Sequence, residues 1–81
     1  MNDLLKNIDE LHTTELGVQR IKRNLGLNTF DVVNWCRLRI SQADEITREG
    51  KNWYAHAGDV VITVNAHSYT IITAHKLKKA P

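Results

Sequence analysis

The chain has 81 residues, 42% of them hydrophobic, and a formal net charge of +2. That is enough for one domain over residues 1–81 and leaves no room for a second; a core this small would gain from self-association. A balance so near neutral excludes a protein that is basic over its whole surface, and no apolar run approaches the about 20 residues of a membrane helix.

The first half has helical period. Leu4, Leu5, Ile8 and Leu11 share one face behind Asn2 or Asp3 as N-cap. Thr13 or Thr14 caps a second helix, with Glu15 in its first turn, where the helix dipole favours an anion. Its expected inner face is Leu16, Ile21 and Leu25, its exposed side carries Arg20 and Arg23, and Gly26 stops it. A third helix starts at Asn28 or Thr29 and buries Val32, Val33, Cys36 and Ile40. Trp35 and, later, Trp53 are expected as core anchors. Cys36 is the sole cysteine, so an internal disulfide is excluded, and its apolar neighbours suggest an inert thiol. His12, between two helices, is expected to cap one of them.

From Glu45 the period changes to two. Four strands are predicted: Glu45–Glu49, Asn52–Ala57, Val60–Asn65 and Tyr69–Leu77, joined at Gly50-Lys51, Gly58-Asp59 and Ala66-His67-Ser68. The expected fold class is α+β, with two to three N-terminal helices on one face of a C-terminal four-stranded antiparallel meander. A two-residue turn at Gly58-Asp59 sets Trp53 opposite Val64, Ala55 opposite Ile62 and Ala57 opposite Val60. A three-residue loop after Asn65 would then set Val64 opposite Thr70, Ile62 opposite Ile72 and Val60 opposite Ala74, all on the face the helices cover. The other face collects Asn52, Tyr54, His56, Val61, Thr63, Asn65, Tyr69, Ile71, Thr73 and His75.

That second face is the candidate functional surface. A histidine near its ordinary pKa can take or give a proton at neutral pH. His75, with His56, Tyr69 and Thr73, is the candidate catalytic group: acid, base and hydrogen-bond donors for RNA cleavage by 2′-hydroxyl attack, a chemistry that needs no metal or other cofactor. Tyrosines on a sheet beside cations also hold single-stranded RNA without cutting it. The candidate binding residues are Tyr54, Arg20, Arg23, Arg37, Arg39, Lys76 and Lys78. Residues 16–43 carry +4 and residues 60–81 carry +3, against −3 over residues 1–15 and −2 over residues 44–59, so two basic blocks are available to converge on a phosphate. Bland readings stand beside each of these: tyrosine and threonine suit strands for structural reasons alone, and His67 belongs to a solvated turn. The histidines lack the close spacing of a metal site, so no metal is expected.

The stretches LHTTELGVQRIKRNLGL, DVVNWCRLRI and GKNWYAHAGDVVITVNAHSYTIITAHK resemble the small bacterial proteins called Domain of Unknown Function 3781, over about Leu4 to Lys76. The resemblance implies a stand-alone cytosolic protein and carries no activity with it. The lone cysteine and an N-terminus without a basic-then-apolar leader agree with a cytoplasmic expectation. The helices-then-sheet order ending in YTIITAHK also looks like the small ribonucleases of the barnase, colicin and RelE-toxin type. On that likeness Tyr69, Thr73, His75 and Lys76 would act, helped by Arg48 or His56; the weak net charge departs from it. Two functions are therefore expected in competition. One is an RNA-interacting protein able to act as a metal-independent endoribonuclease. The other is a non-catalytic module that binds a partner protein or forms a homodimer through Val61, Ile71 and Tyr69.

Overall fold

The N-terminal apolar repeat forms less helix than its period suggests. In a computed structural model describing residues 3–77, α1 is a single turn, Asp3–Lys6, followed by a 3-10 turn at Ile8–Glu10. Leu4 and Leu11 are buried, whereas Leu5 is exposed. Helix α2 (Glu15–Leu25) begins where Thr14 accepts a hydrogen bond from the Gly17 N–H at 3.0 Å. It ends at Gly26, whose φ of 65° suits the residue without a Cβ. The buried positions of α2 are Gly17, Ile21 and Leu25, four residues apart. Leu16 was expected inside and is instead 71% exposed, because it lies about 100° round the helix from Gly17.

Helix α3 (Val32–Ser41) starts later than expected. Asp31 is itself the N-cap and accepts from the Asn34 N–H at 2.9 Å, while Thr29 Oγ1 accepts from the Asp31 N–H. Its buried stripe is Val32, Cys36 and Ile40, with Val33 only half-buried.

The strands β1 (Glu45–Glu49), β2 (Asn52–Ala57), β3 (Val60–Asn65) and β4 (Ile71–Lys76) form one antiparallel sheet in the order β1-β2-β3-β4. The β2–β3 register is the expected one, Trp53 to Val64 and Ala57 to Val60. The β3–β4 register is not. Asn65 and Thr70 close a four-residue loop, the Asn65 N–H donating to Thr70 O at 2.9 Å, and Tyr69 takes a φ of 59°. Val64 therefore faces Ile71. A bulge follows, with Ile72 as the extra residue, so Thr63 faces Thr73, Ile62 faces Ala74, Val61 faces His75 and Val60 faces Lys76. The four-residue loop inverts the alternation and the bulge inverts it back. Ile71 and Tyr69 thus move to the covered face, contrary to expectation, while Thr73 and His75 keep the open one.

Helix α2 packs along β4 and α3 against β2. The core they share contains Ile21, Leu25, Cys36, Ile40, Trp53, Ile62, Val64 and Ile71. Burial pushes the Cys36 thiol up to about 12, so it stays protonated. The His12 ring Nδ1 lies 3.0 Å from the carbonyl oxygen of Glu10, the last residue of the 3-10 turn. His12 also makes a parallel bridge to Thr70, its N–H donating to Tyr69 O at 3.2 Å and its C=O accepting from the Ile71 N–H at 2.7 Å. Thr13 Oγ1 also donates to Ile71 O at 2.8 Å, so the α1–α2 connection occupies the β4 edge that would otherwise be open.

Candidate functional site

The sheet face away from the helical core carries two cross-strand rows. One runs Thr47–Tyr54–Thr63–Thr73; the next runs Glu45–His56–Val61–His75. In the second row the two histidines flank Val61, two strand spacings apart, which puts their Cα atoms about 10 Å from each other. The two histidines thus share one face, on either side of Val61. Val61 and Thr63 are buried, His56 and Tyr54 half-buried, and His75 exposed. Thr73 Oγ1 accepts from Asn24 Nδ2 at 3.3 Å and keeps its own hydrogen to donate.

Glu45, opposite His56, and Thr47, opposite Tyr54, join this face although the sequence reading did not include them. The signal was present. The Gly50-Lys51 turn pairs Glu49 with Asn52, and counting back along both strands pairs Glu45 with His56.

Tyr69 stands elsewhere. Its ring packs on Trp53, with centroids 5.3 Å apart and planes tilted by 58°, and its hydroxyl accepts from Asn7 Nδ2 and donates to Asp3 O. Arg48 places its guanidinium 5.5 Å from the other ring of that stack, Trp53, and also lies off the open face. The binding residues do not converge there. Arg37 pairs with Asp9 at 3.2 Å and bonds Asn34. Arg20 and Arg23 project from the exposed side of α2, and Lys78 lies outside the described residues.

Arg39 and Lys76, one from each basic block, do meet. Both line a cavity of about 280 Å³ on the covered side, with Trp35 and Asp59. Trp35 is a cavity wall rather than a fully buried anchor, and the Arg39 guanidinium lies 5.0 Å from its ring centroid. Among the described residues no group of three histidine, cysteine or carboxylate side chains is arranged to hold a metal ion.

These features define a small α+β domain: helices on one face of a four-stranded antiparallel meander, and a polar histidine row on the other. A family model described as protein of unknown function (DUF3781) matches residues 5–75, and the chain belongs to that family. No curated protein and no solved structure matches it.

Proposed function

We propose that the protein is a cytoplasmic RNA-interacting protein that takes single-stranded RNA on its helix-free sheet face and cleaves it without metal. The observation that carries this reading is the Glu45–His56–Val61–His75 row, which sets two histidines on one sheet face, on either side of Val61. In the proposed step, a neutral imidazole takes the 2′-hydroxyl proton as that oxygen attacks phosphorus. The other, protonated, gives its proton to the departing 5′-oxygen. The products are a 2′,3′-cyclic phosphate and a 5′-hydroxyl end. His56 and His75 share these two roles, one as the base and the other as the acid. The Thr73 hydroxyl donates to a non-bridging oxygen, and Tyr54 offers a ring for the adjacent base.

Tyr69 and Lys76 have no part in this reading, since both lie on the covered side. A homodimer through Val61, Ile71 and Tyr69 is not favoured either, because those three residues do not share a face.

The test is incubation of mixed single-stranded RNA in EDTA with the wild type, His56→Ala and His75→Ala. Cutting by the wild type to cyclic-phosphate ends is expected, with a loss of about 100-fold or more in each variant. RNA left intact by the wild type from pH 5 to 9 sinks the cleavage step. A gel shift that weakens with salt would then leave RNA binding alone.

A further inference from the structure

The cavity on the covered side has a composition that the histidine row does not explain. It lies at the sheet end where the Gly58-Asp59 turn meets the last residue of β4, and it is roofed by α3 and the end of α2. Its walls are of two kinds. Leu25, Leu27, Val60 and the Trp35 ring are apolar, whereas Arg39, Lys76 and Asp59 bring charge. Among the described residues neither cation has a carboxylate within 4.0 Å, and the Asp59 carboxylate accepts no hydrogen bond. Lys76 and Asp59 flank the same space without pairing across it. Arg39 covers the Trp35 ring, and with no ion pair among the described residues to satisfy either charge both cations are available to an anion in this space.

We propose that this cavity is a mononucleotide site. Arg39 and Lys76 hold the phosphate: the guanidinium offers a planar donor fork, already oriented by its stacking on Trp35, and the ammonium a point charge. The base lies against Trp35 and the apolar walls, and Asp59 accepts from the ribose hydroxyls. A volume of about 280 Å³ lies just below the roughly 300–1,000 Å³ usual for ligand cavities, which limits the ligand to about the size of a single nucleotide. The nucleotide is either free or the phosphorylated end of an RNA strand; the chemistry of recognition is the same. The site stands independently of the sheet-face reading, because the Val60–Lys76 pair faces the opposite side from the Val61–His75 pair.

The four ribonucleoside 5′-monophosphates are titrated into the full chain and followed by Trp fluorescence and by ¹H–¹⁵N spectra. Saturable binding that perturbs the Trp35 indole is expected for at least one, weakened about tenfold in both Arg39→Gln and Lys76→Gln. His56→Ala with His75→Ala should bind as the wild type does, which separates this site from the sheet face. Both cations are exposed, so the Gln variants keep the wild-type pattern of dispersed peaks. The nucleoside without phosphate and inorganic phosphate alone should each bind more weakly than the nucleotide. A 5′-phosphorylated trinucleotide that competes as well as the monophosphate identifies strand ends as the source, and one that fails to compete identifies the free nucleotide. No saturable change up to millimolar nucleotide, or equal binding by the Gln variants, overturns the proposal.

Discussion

Two adjacent isoleucines test the bulge at the start of β4. Ile71 is 1% exposed in the core and Ile72, the extra residue, is 36% exposed. Replacing Ile71 by Ala removes three buried carbons, which at about 0.8 kcal/mol each is about 2.4 kcal/mol of transfer free energy. The cavity left in the core beside Val64 adds to this, for a total of about 3–4 kcal/mol. At Ile72 the same three carbons are already partly solvated and water fills the space, so the expected loss is about 1 kcal/mol. A domain of this size has roughly 4–12 kcal/mol to lose, so both variants are measurable, Ile71→Ala near the limit. With a urea slope of about 1 kcal/mol per molar, the midpoint should fall by about 3 M for Ile71→Ala and about 1 M for Ile72→Ala. Equal losses, or a larger loss at Ile72, would refute the bulged register. The assignment of Ile71 and Tyr69 to the covered face would fall with it, whereas Thr73 and His75 would stay on the open face, because an unbulged strand with Ile72 inside also turns them outward.

Two further predictions concern the core thiol and the helix ends. The Cys36 pKa is raised by burial from 9.0 to about 12, so folding favours the protonated thiol. Its contribution to stability is complete below pH 9 and is lost as the pH rises from 9 toward 12. In urea titrations, Cys36→Ala should flatten part of the alkaline fall in stability seen in the wild type. The native thiol should react with a thiol reagent at pH 8 only at the rate of unfolding. At the ends of α2, Thr14→Ala should cost about 1 kcal/mol by removing the acceptor for the Gly17 N–H. Gly26→Ala should cost about 1–2 kcal/mol through its left-handed backbone alone, since a Cβ there meets no atom within 4 Å. Thermal melts check both, and a Gly26→Asn variant that melts close to the wild type would confirm that the cost lies in the backbone.

Local chemistry was enough to read much of this molecule from its residues. Thr14 and Gly26 mark the ends of α2 because capping is decided within one turn of chain. The β1–β3 strands and both two-residue turns follow from period-two patterning and from glycines at φ 60° and 63°. From those turns the pairing of Trp53 with Val64 and of His56 with Glu45 is a matter of counting. The third hairpin resisted the same treatment. Ile71-Ile72 offers two equally apolar neighbours, so hydrophobicity cannot say which of them the core takes. That choice depends on the length of the loop before them and on Tyr69 finding Trp53, Asn7 and Asp3, contacts up to 66 residues distant in sequence. Likewise His12 has no local partner that reveals its bridge to β4, and Leu16 has no local neighbour that keeps it out of the core. Arg39 and Lys76 are separated along the chain by α3's end and the whole sheet, and only the packing of helix on sheet brings them to one cavity beside Trp35. Caps and turns are settled by neighbours in the chain, whereas the sites are assembled by neighbours in space.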